Sequence, residues 1–489
     1  MKLLKAKSYS DWSKGVWQSI SSATAPENSV KLALNMNSDI IHGELISRKG
    51  STLVGTQIVD NATVLGLHNY RGTVAGTTDK LFAVVSDGVH SDIYDVVAGT
   101  KSLEDDTKDL KTRFLTYLDS CLRLNGTDFP AAYNGTTWIV LGGVFDLAAI
   151  PTGSKYAIEF KDRICVAGRL DSPDRVDLSS IADSTTRTVN WTIDGTESGA
   201  KFFVSEQEDG GGGITGLAKA PGYLMIFKKR TLKRYDGTSA YPEDLVNQGA
   251  PSQEAIAMAK GMVFWVNEND AWMSTGGDPK AIGSFMVRDI IKSIVATNLV
   301  NVSAGTDEEH VFWSIPSCTI NGETYTNVVL KYNILMNTWD IHQYPTLITR
   351  FCKTVDTDNA TYITYGNNDG QVLVLNSGNT DNGTGITFSV ETQDWDFGFR
   401  LFQKGINRFG IVTEGLPKSS EASVMWRNTH NPGDWKSLGT IKKDVQDFSG
   451  IDLRGNFYNF KVTETVTSGQ ATFIGFEFPE GIRVYDNTE

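Results

Sequence analysis

A short phrase returns along this chain with changed residues and constant character. An apolar strand is followed by a tight Gly or Asn turn, a second strand with an aromatic, and a polar turn reading Tyr-Asn/Asp-Gly or Asn-x-Trp. Copies stand at Tyr133-Asn134-Gly135-Thr136-Thr137-Trp138, at Arg234-Tyr235-Asp236-Gly237, at Tyr332-Asn333 to Asn337-Thr338-Trp339, and at Asn368-Asp369-Gly370-Gln371. A multi-strand unit recurring at roughly 40–60 residues is the signature of a β-propeller. Such a disc has an axial channel, and it serves more often as a platform or binding surface than as a chemical machine.

The units can be followed strand by strand. Leu81–Val85 pairs with Asp92–Val97, Arg113–Tyr117 with Leu122–Leu124, and Tyr156–Phe160 with Ile164–Gly168. Ile214–Leu217 with Tyr223–Phe227, Ile256–Met258 with Met262–Val266, His310–Ser314 with Val328–Tyr332, and Thr361–Tyr365 with Val372–Leu375 continue the series. Continuous apolar runs of this kind fit strands buried on both faces, as in stacked blades. The count is about seven units, give or take one. The propeller is expected over residues 59–382.

Residues 1–58 do not alternate cleanly, and with Trp12 and Trp17 they read as an N-terminal arm lying against something else. Within them, Glu44 to Gly50 reads as a strand ending at a glycine turn. Near 285–295, Val287, Ile290, Ile291 and Ile294 recur at helical spacing, which predicts a short helix inserted between units, packed on the core or docking a partner. After about Asn382 the character changes. Ile386–Val390, Ile406–Val412, Ser423–Trp426, Phe457–Val462 and Ala471–Phe478 read as the strands of a C-terminal β-sandwich domain over 383–489. The fold class is therefore all-β.

Composition agrees: 47 Gly against 13 Pro, with many Asn, Asp and Thr, suit strands and tight turns. The net charge of −13 favours solubility and leaves no electrostatic footprint for gripping phosphates. An acidic wall can still surround DNA and let it slide. Cys121, Cys165, Cys318 and Cys352 are far apart and form no CxxC, so they read as small buried hydrophobes. The N-terminus lacks the apolar core of a signal peptide, and no stretch reaches the length of a membrane span. A soluble chain made in the cytoplasm is expected, and Asn-x-Ser/Thr matches such as Asn61, Asn125 and Asn190 read as turn chemistry.

Searches for catalytic patterns return little. Gly210-Gly211-Gly212-Gly213 is followed by Ile214, not by the lysine of a phosphate loop, and reads as a hairpin. No GxSxG, HExxH or EF-hand spacing occurs. His42, His68, His90, His310, His342 and His430 are scattered. Asp394 and Asp396 flank Trp395, and Asp171, Asp174 and Asp177 cluster near Arg169 and Arg175, but a glycosidase needs two carboxylates facing across a sugar. The sialidase turn Ser-x-Asp-x-Gly-x-Thr-Trp is matched only at its end, since Ala131 and Tyr133 replace its Ser and Asp. No catalytic, cofactor-binding or metal-ligating residue is assigned, and no cofactor is expected.

An ordered set of segments carries a resemblance. It runs Phe160 to Gly168, Pro173 to Ser179, Asn190-Trp191, Asp209-Gly210, Ile214-Thr215-Gly216-Leu217, Leu224 to Lys228, and Arg234 to Gly237. It resembles the propeller-type tail nozzle, or packaged-DNA stabilisation protein, of short-tailed bacteriophages. Gly43-Glu44-Leu45 to Arg48-Lys49-Gly50 is similar to that family's N-terminal pattern, and Trp395 to Gly398 with Lys404 resembles the β-rich domain following the propeller in related tail proteins. The resemblance implies a structural virion protein without catalysis. Family members form a ring, a hexamer in the usual case, below portal and adaptor. The ring extends the DNA channel, retains packaged DNA and carries tail fibre or tail needle proteins, with no membrane in the assembled state. It implies residence in the virion tail after synthesis in the host cytoplasm. The segment before Ile58 and the helix near Ile290 are the candidate contacts with other subunits or the adaptor, with Trp12 or Trp17 as anchors. Two alternatives stay open: a carbohydrate- or receptor-binding propeller such as a tail fibre or lectin, and a polysaccharide-cleaving propeller enzyme.

Overall fold

Every expected strand pair forms a hydrogen-bonded antiparallel ladder in the computed structural model. It describes residues 2–485 apart from 22–23, 40–42, 73–78, 87–88, 105–109, 206–211, 356–357, 417–421 and 430–433. Each unit begins with its innermost strand and steps outward. The innermost strands are Val64–Tyr70, Arg113–Tyr117, Tyr156–Phe160, Ile214–Ala220, Ile256–Ala259, Ser303–Thr306 and Ile348–Val355. Each lies against the next, and Ile348–Val355 lies back against Val64–Tyr70, so the circle closes. The chain is a β-propeller.

Six units stand as separate four-stranded antiparallel sheets, where the sequence leads one to expect about seven. The remaining four strands, Ser303–Thr306 to Thr338–Gln343, have the same order but continue sideways into a nine-stranded sheet. The last four-stranded sheet is completed by the N-terminal strand Ser51–Leu53, which pairs with Val372–Leu375. The N-terminus thereby closes the ring.

The recurring phrase has a structural cause. Tyr133, Tyr235 and Tyr332 lie at the end of the third strand of their units, and the Asn or Asp that follows turns the chain toward the fourth. Asn134 Oδ1 accepts the N–H groups of Thr136 and Thr137, Asp236 Oδ1 those of Thr238 and Ser239, and Asn333 Oδ1 those of Leu335 and Met336. A short polar side chain here satisfies two donors that the turn would otherwise orphan. A further copy, Tyr94-Asp95, does the same with Val97 and Ala98, although the sequence reads on as strand there. Asn368-Asp369-Gly370 is a different turn, between second and third strands, organised by Asn367.

Glycine is required where innermost strands crowd the axis. A Cβ at Gly305 would come within 2.2 Å of Phe351 Cβ on the next strand. Nothing larger than hydrogen fits between two backbones at that approach.

Residues 1–58 are not a free arm. Lys2–Leu4 pairs with Ile482–Tyr485, Lys7–Tyr9 with Thr472–Phe478, and Val30–Leu34 with Ile386–Thr392. The strands after 386 fall into an eight-stranded and a nine-stranded sheet whose buried faces share one apolar cluster. Trp12 is fully buried in that cluster, and its indole N–H donates to the Ile474 carbonyl at 2.8 Å. Tyr9 stacks on Trp395 at 4.2 Å. Apolar residues read as an adhesive arm are thus claimed by the chain's own C-terminal half. The helix expected near 285–295 is a single short one, Arg288–Lys292, with Ile290 and Ile291 buried.

Candidate functional site on the propeller axis

The innermost strands surround an axial cavity of about 300 Å³. Its charged lining comes from segments far apart in sequence. Arg113 opens the strand Arg113–Tyr117, Arg350 lies on Ile348–Val355, and Glu254 sits in the one-turn helix Gln253–Ala255 that leads into Ile256–Ala259. Arg113 Nη2 stands 2.6 Å from Glu254 Oε1, and Arg350 Nη2 stands 3.8 Å from the same oxygen. Lys111 Nζ lies 3.9 Å from Glu254 Oε2 while donating to the Val300 carbonyl at 2.9 Å. The Arg113 guanidinium also lies over the Tyr156 ring, 4.8 Å from its centre.

Both arginines are held by backbone. Arg350 Nε donates to the Leu65 carbonyl at 2.9 Å and its Nη1 to Thr349 at 2.6 Å, while Arg113 Nη1 donates to Lys111 at 3.2 Å. Arg350 Nη2 and Arg113 Nε are buried and have no hydrogen-bond partner among the described residues. Burial on its own would raise the Glu254 pKa, but Arg113, Arg350 and Lys111 outweigh it and hold the carboxyl at about 2. Burial lowers the Arg350 and Lys111 pKa values, and the neighbouring cations lower them further. Three cations thus converge on one carboxylate. His68 lines the same cavity, its ring stacked on Phe114 and its Nε2 2.7 Å from Thr116 Oγ1.

A second concavity, about 620 Å³, opens on the flank. Trp17 stacks on Phe285 at 6.4 Å across it, and Met336, Lys14 and Lys280 complete the rim. Phe285 is 59% exposed and the adjacent Leu335 80%. Hydrogen bonds from Gln18 N to the Met286 carbonyl and from Ser19 N to Phe285 hold this wall in place.

The carboxylates singled out in the sequence are scattered among structural roles. Asp171 and Asp177 pair with Arg169 and Arg175, and Asp174 pairs with the buried Lys228 at 2.9 Å. Asp394 accepts from Asn459 at 3.1 Å, and Asp396 caps the turn at Gly398 and pairs with Arg400 at 3.2 Å. His310 Nδ1 lies 3.0 Å from Asp307 Oδ2, and His342 is buried, which pushes its pKa well down. Cys121, Cys165 and Cys318 are buried and Cys352 is half-buried, and burial raises the Cys165 thiol to about 12. Gly210 and Gly211, Asp209, His42 and His430 lie outside the described residues. Among the described residues no group of His, Cys, Asp and Glu is arranged to hold a metal ion, and no helix is long and apolar enough to cross a membrane. The axial cluster escaped the sequence reading because its members have no shared motif; only the closing of the circle brings Arg350 beside Arg113.

No protein-family model and no curated protein matches the sequence. Solved structures similar to the chain include one described as YCF48 bound to D1 peptide, at 9% identity over 67% of this chain and 97% of that one, with a TM-score of 0.39. A chain of the mitotic checkpoint complex is 7% identical over 67% and 95% of the two chains, with a TM-score of 0.41. The N-terminal domain of Nup159 is 9% identical over 71% and 99%, with a TM-score of 0.38.

Proposed function

We propose that this protein is a structural component of a bacteriophage tail. In this reading it is a nozzle subunit that assembles in a ring, a hexamer, below portal and adaptor, surrounds the exiting DNA, helps retain it and anchors tail fibre or needle proteins. The observation that carries the reading is the placement of the resembling segments. Among the described residues, the segments from Phe160 to Ser179 fall on the first three strands of one sheet, Tyr156–Phe160, Arg163–Ala167 and Arg175–Leu178, with Asn190-Trp191 in a loop of the same sheet. Those from Ile214 to Gly237 fall on the first three strands of its neighbour, Ile214–Ala220, Tyr223–Lys228 and Leu232–Tyr235, and the buried Lys228–Asp174 pair at 2.9 Å ties the two sheets together. In the same reading the strands Ser303–Thr306 to Thr338–Gln343 act as a seventh blade, and the two large sheets form a sandwich shared by the N-terminal strands and the C-terminal region. The protein has no catalytic role and resides in the virion.

The axial cavity, at about 300 Å³, has the volume of a small-molecule site, so DNA runs between subunits and not through a propeller. The Trp17–Phe285 cleft takes a second copy of the chain. A ring needs a head-to-tail contact between two different patches. The cleft lies beside the fourth strands Lys280–Ala281 and Thr338–Gln343. Three places around the circle in either direction lies the sheet whose loops expose Phe129, 81% accessible, and Leu141, 72% accessible. Apolar knob and apolar cleft thus stand on opposite rims.

Electron microscopy of the purified protein, alone and mixed with a portal–adaptor complex from the same source, tests the reading. A ring docked coaxially on the complex is expected. A persistent monomer that ignores it would overturn the proposal, and a glycan screen would then examine the carbohydrate-binding alternative. That alternative is weakened by the burial of Trp12, Trp265, Trp313, Trp339, Trp395 and Trp426, which leaves them no face for a sugar ring.

A further inference from the structure

The axial cavity carries an excess of positive charge. Its charged lining consists of Arg113 and Arg350 against Glu254, with Lys111 behind. Glu254 Oε1 forms an ion pair with Arg113 Nη2 at 2.6 Å and lies 3.8 Å from Arg350 Nη2. Neither Glu254 oxygen has a hydrogen-bond partner among the described residues, and this one carboxylate faces three cations. Like charges brought together out of water repel, and a second anion between them would relieve the imbalance. A guanidinium presents paired donors that match the oxygens of a carboxylate or phosphate. Here the donors without partners, Arg350 Nη2 and Arg113 Nε, belong to the two arginines that line the cavity. Backbone carbonyls fix Arg350 through its Nε and Nη1, so its orientation is set before any ligand arrives. The volume of about 300 Å³ admits a phosphate or short dicarboxylate and excludes a duplex or a polysaccharide chain.

We propose that the axial cavity binds a small oxyanion, a phosphate or carboxylate group, between the guanidinium groups of Arg350 and Arg113. This site is complete within one chain and does not depend on ring assembly.

The test uses the full chain, titrated with inorganic phosphate and with succinate against sodium chloride at matched ionic strength. Calorimetry and the thermal midpoint are the readouts. Saturable binding with a raised midpoint is expected for at least one oxyanion, with none for chloride. Phosphate alone would assign a phosphoryl group, and succinate alone a carboxylate. Arg350→Met abolishes the response. Glu254→Gln removes the internal competitor and tightens binding by about tenfold or more. It also makes folding depend on the anion, so the proposal stays testable if Arg350→Met is unstable. No saturable response beyond chloride in either the parent chain or Glu254→Gln would overturn the site, as would a response that Arg350→Met leaves unchanged.

Discussion

Arg48 spends all five of its N–H donors inside the protein. Two go to Asp381, at 2.8 and 2.5 Å, and the others to Asn35 Oδ1 and the carbonyls of Lys49 and Gln343. The guanidinium also lies 4.0 Å from the Tyr344 ring centre. Side-chain exposures of 1% and 5% leave neither partner access to water. Removing one member of such a pair strands the other charge, so Asp381→Asn or Arg48→Met is expected to cost about 3–5 kcal/mol in urea unfolding. Arg48→Lys does not restore it, because an ammonium cannot span the fork. Glu254 makes a pH prediction. Its folded pKa is about 2 against the ordinary 4.5, so the unfolded chain takes up the proton first as pH falls. Its contribution is full above pH 4.5 and is lost as pH drops to about 2, at most about 3 kcal/mol in all. Glu254→Gln flattens that part of the acid-unfolding curve.

Turns and strand approaches carry the predictions at the level of elements. Asn333→Ala leaves the Leu335 and Met336 N–H groups without their acceptor and is expected to cost about 1 kcal/mol. Gly305→Ala forces the strands Ser303–Thr306 and Ile348–Val355 apart, a loss of about 1–3 kcal/mol by chemical denaturation. The N-terminal segment behaves as part of the fold: Trp12→Ala is expected to cost about 3–5 kcal/mol, and a chain lacking residues 1–58 loses the strand that closes the last sheet. Circular dichroism of that deletion should report an unfolded or aggregated protein, where a dispensable arm would leave the propeller intact.

For the whole molecule, the proposed ring rests on the apolar cleft and the opposite knob. Phe285→Glu leaves the exposed residue's own chain folded, with an unchanged thermal midpoint, and abolishes rings in micrographs. Rings that persist would place the subunit contact elsewhere. Oxyanion binding on the axis should be the same in monomer and ring, since all its residues come from one chain.

The sequence by itself determined what depends on neighbours in the chain. Apolar runs such as Leu81–Val85 and Ile164–Ala167, and turns such as Tyr332-Asn333, announce strands and hairpins because their hydrogen bonds and burial patterns are local. The Tyr94-Asp95 turn was hidden by the apolar Val96-Val97 that follows it, which prolongs the strand pattern. Everything requiring distant segments to meet was decided by tertiary structure. The pairing of Ser51–Leu53 with Val372–Leu375 and the gathering of Arg113, Glu254 and Arg350 on one axis need the circle to close, and the burial of Trp12 beside Trp395 needs the N-terminal strands to meet the C-terminal ones. No local pattern records that closure, because it is set by which blade edges remain unpaired and which apolar faces still need covering.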